Sequence, residues 1–256
     1  VLMLAAVLGD FAGWHTPFVV LGMAMLLAAL ILFILVPYQK LPSSHLNLVG
    51  RLGQIAKFPI TWYMVGTNVL AHVSWGVVIT FFPAFLIMTF RMNTAEVALP
   101  VVALALGTTA GPLLGGRVGG SAKRLIVTTG LLLAAAVPGL AIFLLDWGPW
   151  ASVFMAGLFL LLIAPITTVL MIVIVEIGSS ARGAMTGVIS CSNYAGSAVG
   201  AAIGGVLLSQ YGFGALSFLL VGTVVGSGFL MVFFINDKAV DRAQKGFSKS
   251  PDDNSL

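Results

Sequence analysis

Apolar residues run along this chain in blocks of about 20 or more, and charged residues fall almost entirely between the blocks. A helix needs about 20 apolar residues to cross the hydrocarbon core of a bilayer. Seven blocks meet that length: 17–36, 60–90, 97–115, 125–145, 151–175, 183–208 and 215–235. The block 60–90 holds 31 residues, more than a straight span requires, so Gly76 and Pro83 are expected to kink it or its end to lie in the interface. The opening VLMLAAVL reads as the end of a truncated helix, and the chain as part of a longer protein. The pattern predicts an all-α polytopic membrane protein of seven complete spans and one stub.

The polar connectors suggest the domain organisation. Short turns are predicted at 10–16 and at RMNTAE, 91–96. The longest internal polar stretch, 38–59, carries Leu48, Leu52 and Ile55 at helical spacing beside Arg51 and Lys57. That suits either a short helix on the membrane surface or a plain linker. Either way it marks a boundary. Residues 1–37 are read as the end of an N-terminal bundle, 38–59 as an inter-domain loop, 60–235 as a six-helix C-terminal bundle, and 236–256 as a charged, disordered tail.

Composition narrows the class. Hydrophobic residues make up 59% of the chain and charged residues 8%, against about 25% charged in soluble domains. The net charge of +4 is too small and too scattered for a nucleic-acid surface. A single Cys191 excludes an intrachain disulfide, and neither a cofactor nor a metal site is expected. Basic residues report sidedness, because cytoplasmic loops carry an excess of Lys and Arg. With the loops taken alternately, one side holds Lys40, Arg51, Lys57, Arg117, Lys123, Arg124, Arg182, Lys238, Arg242, Lys245 and Lys249; the other holds only Arg91. This predicts a multi-pass protein of the cell (plasma or inner) membrane with its middle loop and C-terminus cytoplasmic. Trp14, Trp62, Trp147 and Trp150 fall at predicted helix ends, as an aromatic belt requires.

A spacing of glycines occurs twice. Gly107, Gly111, Gly115 and Gly116 return 89 residues later as Gly196, Gly200, Gly204 and Gly205. Glycines four apart share one helix face and let two helices approach closely, which is the main packing device inside lipid. These eight are therefore helix-packing candidates. The charge assignment sends their two helices across the membrane in opposite senses, each as the middle member of a three-span unit. Residues 60–145 and 151–235 are thus read as an inverted repeat, an architecture typical of secondary transporters with a midplane site.

At these residues the chain resembles the major facilitator superfamily, from the tip of that family's fifth span through its twelfth, and most closely its drug and sugar efflux branch. GWHTPF at 13–18 is similar to the family's external turn between spans five and six. GRVGGSAKR at 116–124 resembles the second copy of the signature G-x-x-x-D-R-x-G-R-R, and Arg182, Gly183 and Gly187 resemble the R-G-x-x-x-G that opens span eleven. Gly119 and Gly120 stand where the signature has Asp and Arg, so only its basic end, Lys123 and Arg124, remains. GPLLGG resembles the antiporter motif of span five but lies in span eight, and so does not argue for antiport.

An ionisable group within a span is a functional candidate, since charge is costly in hydrocarbon. His72 is the one such residue. Asn68, His72 and Trp75 share its helix face, and Trp75 is the only Trp away from a predicted boundary. The resemblance implies that this helix and the one carrying Thr167, Thr168 and Met171 line a central cavity. Asn193 and Tyr194 are further candidates for contact with substrate or protons. The alternative for all of them is helix packing through side-chain hydrogen bonds. Glu176 is expected to pair with Arg117, Lys123 or Arg182 and, with Arg124 nearby, to form a cytoplasmic gate; a solvated surface pair is the simpler alternative.

The reading that follows is a secondary transporter for a small organic solute, working by alternating access as a proton-coupled efflux antiporter. Its partners are the lipid bilayer, the solute and protons, and it is expected to be monomeric at full length. Uptake symport or uniport is the alternative mechanism, and a non-transporting receptor or assembly protein the alternative class. A membrane enzyme is disfavoured because His15, His45 and His72 are dispersed and no carboxylate pair lies within a span.

Overall fold

A computed structural model describes residues 13, 15–35, 53, 56–177, 182–235, 240, 242 and 244, with only the backbone of Thr94 and Arg182. The stub, most of the inter-domain loop and most of the tail lie outside the described residues. No strand occurs among those described. The helices are α1 (Thr16–Leu35), α2 (Pro59–Phe90), α3 (Thr94–Gly119), α4 (Arg124–Ala134), α5 (Ala136–Leu144), α6 (Pro149–Ile163), α7 (Pro165–Ile177), α8 (Arg182–Tyr211) and α9 (Gly214–Phe234). Taken as α1, α2, α3, α4 with α5, α6 with α7, α8 and α9, they give seven segments long and apolar enough to cross a membrane.

Each boundary has a local cause. Pro59 opens α2 at a position that needs no backbone donor, and Arg91 closes it in the left-handed region at φ 55°. α2 continues through Pro83 as one helix of 32 residues, roughly 48 Å at 1.5 Å per residue, so its ends extend beyond the hydrocarbon core. The turn predicted at 91–96 is shorter than expected because Asn93 and Glu96 form a reciprocal capping box, each side chain bonded to the other's backbone N–H at 2.8 Å.

The spans predicted at 125–145 and 151–175 are each divided in two. Pro165 offers no N–H to the carbonyl of Leu161, and the helix steps at Ala164. A similar step at Ala135, whose N–H is shared between the carbonyls of Leu131 and Leu132, lies three residues before Pro138. α8, by contrast, stays continuous through six glycines. In lipid an unpaired backbone group has no water to turn to, which outweighs the glycine's own preference for coil.

The packing separates α1 from the rest. α1 buries none of its residues, while α2 to α9 surround a core that includes Met64, Phe82, Phe159, Leu170 and Met185. α2 packs chiefly on α8 and α9, and α3 packs on α6 and α7; α9 also lies along α5 and α4. The lead helix of each three-span unit therefore holds the middle helix of the other unit. Exchanging the units maps this pattern onto itself.

The glycines make that crossing possible. A methyl group added at Gly107 would lie 3.1 Å from the carbonyl oxygen of Gly157, and one at Gly196 would lie 2.6 Å from that of Val69. One at Gly111 would collide with Ala164 beside the Leu161 carbonyl, and one at Gly200 with the Val73 carbonyl. Glycines 89 apart thus meet carbonyls 88 apart, which sets the register between the units. The fourth tooth of each comb departs from expectation. Around Gly116 there is open space, and the nearest atom to Gly205 is the Phe81 ring at 3.9 Å. Neither is a close-packing position among the described residues. Gly119, one turn beyond Gly115, takes the contact instead, against Ile172.

These contacts predict the effect of adding a single carbon. Gly200→Ala should destabilise the protein by about 1–3 kcal/mol through overpacking, and Gly116→Ala should change it by less than about 0.5 kcal/mol. Thermal unfolding in detergent checks both. Equal effects at the two positions would show that the collision at Gly200 is relieved at no cost.

Candidate functional site

The polar residues within the spans gather along α2. On the side facing α8, Asn68 is fully buried and directs its side-chain amide nitrogen at three acceptors: the Ser192 hydroxyl at 2.7 Å, the Ile189 carbonyl at 3.4 Å and the Asn193 Oδ1. Ser192 donates its own hydrogen to the Ile189 carbonyl at 2.7 Å, so it accepts from Asn68. The Asn68 Oδ1 is buried and has no hydrogen-bond partner among the described residues. An orphaned buried acceptor typically costs about 1–3 kcal/mol.

One turn along α2, the half-buried His72 donates from Nδ1 to the Asn68 backbone carbonyl at 3.0 Å. A carbonyl can only accept, so Nδ1 carries the hydrogen and the neutral ring leaves Nε2 as an acceptor. The Trp75 ring lies 6.3 Å from the imidazole, tilted by 31°, and is also half-buried. Gly196 makes room here, because a methyl group on it would stand 2.8 Å from the His72 Cβ.

The side of α2 facing α9 carries a second polar seam. Ser74 and Thr223 share a hydrogen bond of 2.5 Å, and Ser227 donates to the Thr67 carbonyl at 2.8 Å. Hydrogen bonds of this kind hold helices together where lipid supplies no hydrophobic drive. Ser74, Ser192, Thr223 and Ser227 carry no charge and sit among several other buried hydroxyls, so the sequence alone did not single them out.

The remaining candidates are spread more widely. Asn193 joins Asn68, but Tyr194, the next residue on α8, is 79% exposed and stands apart from the cluster. Thr168 is occupied at the glycine crossing, where a methyl group on Gly115 would lie 2.7 Å from its Cβ. Thr167 and Met171 are half-buried on α7. Between α3 and α6 lies an apolar cleft of about 540 Å³, floored by Gly107 and Gly157 and walled by Leu106, Trp150, Phe154 and Leu161. No sequence motif announced it.

At the end of the bundle where the loops are basic, Glu176 at the close of α7 is gripped by Arg124 at the start of α4. The two guanidinium nitrogens approach the two carboxylate oxygens at 2.7 and 2.5 Å. The expected partners differ: Arg117 and Lys123 are exposed, and the Arg182 side chain lies outside the described residues. Arg124 wins because the loop 120–123 delivers the first turn of α4 beside α7. The pair joins the two three-span units within one bundle. Its side chains are 19% and 41% exposed, so solvent screening limits it to about 1 kcal/mol or less. A double-mutant cycle of Arg124→Gln and Glu176→Gln in detergent should give a coupling of that size that falls as salt is raised. A salt-independent coupling of several kcal/mol would show a desolvated pair.

Comparison with known proteins is consistent in kind. A family model described as Major Facilitator Superfamily matches residues 64–253. The "Uncharacterized MFS-type transporter YceJ" of Bacillus subtilis is 29% identical over 250 residues, covering 91% of this chain and 58% of that protein. The "Probable sugar efflux transporter" of Helicobacter pylori is 23% identical over 228 residues, covering 88% and 56%. The chain thus spans somewhat more than half the length of these relatives. A bacterial homologue of the human lysosomal transporter Spinster, solved inward-facing and unoccupied, aligns with a TM-score of 0.47 at 17% identity, over 93% of this chain and 60% of that one.

Proposed function

The chain belongs to the major facilitator superfamily of membrane transporters, and on that premise we propose that it forms the C-terminal bundle of a secondary transporter exporting a small neutral organic solute, with proton coupling, by alternating access. The observation that carries this reading is the group Asn68, His72, Trp75 and Asn193. It places an imidazole, a side-chain amide and an indole on three half-buried residues where α2 packs on α8, beside the buried Asn68 and inside spans that hold no fixed charge. A strongly anionic solute calls for an intramembrane Arg or Lys, and these spans contain none. The Helicobacter relative, named for sugar efflux, supports a neutral hydroxylated solute and outward transport.

His72 is the group assigned to proton exchange, since its Nε2 is left to accept a proton while Nδ1 holds the Asn68 carbonyl. Eleven of the twelve Lys and Arg residues fall on one side of the assigned topology, which supports a cell membrane orientation with the basic loops in the cytoplasm. Glu176 and Arg124 stand at that face, and parting them is assigned to opening toward the cytoplasm.

Reconstitution of the full natural chain in proteoliposomes tests the proposal. Radiolabelled lactose, glucose and arabinose are the probes, each measured in counterflow and under an imposed pH gradient. At least one should show saturable counterflow and gradient-driven accumulation. His72→Gln should keep counterflow within about threefold and lower accumulation tenfold or more. A folded protein that moves none of the three removes the neutral-solute reading. A His72→Gln variant that accumulates solute normally removes proton exchange at this residue.

A further inference from the structure

We propose that Asn68 is the positioning residue of this site, setting the side-chain amide of Asn193 and the ring of His72 so that a donor and an acceptor face the solute together. The inference rests on the site assignment above and goes beyond it by giving each group a polarity.

Asn68 is connected in two directions. Its side-chain amide nitrogen meets Ser192 and Asn193 on α8, and its backbone carbonyl meets His72 on its own helix. Asn193 uses its Oδ1 to accept from Asn68, so its amino group is left on the opposite side, where the residue is half-exposed. His72 uses its Nδ1 hydrogen on the Asn68 carbonyl, so Nε2 is left as an acceptor. The result is a pair of N–H donors on α8 and one lone pair on α2, with the Trp75 ring 6.3 Å from the imidazole. A donor on one helix and an acceptor on the other suit a solute whose groups both donate and accept, as hydroxyl groups do.

One observation distinguishes this from ordinary helix packing, and it is the departure from repeat symmetry. In the register set by the glycine crossings, the positions 88 residues beyond Asn68 and His72 hold Ala156 and Leu160, both fully buried. The equivalent crossing of α3 on α6 therefore forms without any polar hub. Asn68 is not needed for helices to cross in this geometry.

The test uses the full natural chain in nanodiscs for backbone hydrogen exchange of α8, and in proteoliposomes for counterflow of whichever sugar of the panel the wild type moves. Asn68→Ala should speed exchange across 189–193 at least tenfold and raise KM at least tenfold, with the maximal rate within about threefold. Asn193→Asp keeps the acceptor for Asn68 but loses the donors, so it should raise KM similarly while leaving exchange as in the wild type. Ser74→Ala, on the α9 side of the same helix, should leave KM within twofold. If Asn68→Ala raises KM with exchange unchanged, Asn68 acts on the solute directly and the positioning role is wrong. If exchange rises with KM unchanged, Asn68 only packs, and the proposal is equally wrong. A wild type that moves none of the sugars sinks the neutral-solute reading, and the exchange experiment alone then decides whether Asn68 orders α8.

Discussion

The approach of a glycine on one helix to a backbone carbonyl on another is the contact on which this bundle depends. Within lipid, apolar side chains gain nothing by leaving one hydrocarbon surface for another, so association relies on close backbone packing and on interhelical hydrogen bonds. Gly111 on Ala164, Gly196 on Val69 and Gly200 on Val73 bring α3 onto the α6–α7 step and α8 onto α2 at distances that a Cβ would prevent. Because each comb lies on the lead helix of the other unit, the two units interlock rather than stand side by side. Neither three-span unit buries its glycine face without its counterpart.

Against that symmetric frame the polar residues are distributed unevenly. α2 is hydrogen-bonded on both flanks, to α8 through Asn68 and to α9 through Ser74 and the Thr67 carbonyl. The matching lead helix, α6 with α7, is divided at Ala164 and meets α3 through Gly157, Ala164 and Thr168. One lead helix is therefore long, continuous and polar along its seams, while the other is stepped and borders an apolar cleft.

The two ends of the bundle also use different chemistry at equivalent places. At the basic end Arg124 opens α4 and holds Glu176. Its equivalent 89 residues on is Phe213, which precedes α9 and packs edge-on to Phe85 at 5.2 Å and stacks on Phe143 at 6.1 Å. An ion pair weakens with salt and yields to water, whereas an aromatic cluster does neither. The geometry thus gives the two ends different sensitivity to the solution on their own side of the membrane.

Amino-acid order by itself determined the number of spans, their approximate limits, the class of the protein and the existence of close-packing faces, because those depend on local quantities: the length of an apolar run, the position of a proline, the absence of a side chain. His72, Asn68 and Trp75 were legible for the same reason, as polar or aromatic groups in an apolar run at helical spacing. The tertiary structure decided which helix each face meets. Nothing in GTTAGPLLGG specifies α6 and α7 as its partners, or says that Gly119 rather than Gly116 makes the fourth contact. It likewise decided that Glu176 meets Arg124, that Tyr194 stands apart while Asn193 is drawn in, and that Ser192 completes the hub. Each of those outcomes turns on the rotation of one helix about its axis relative to another, a quantity set by the whole bundle and carried by no single segment.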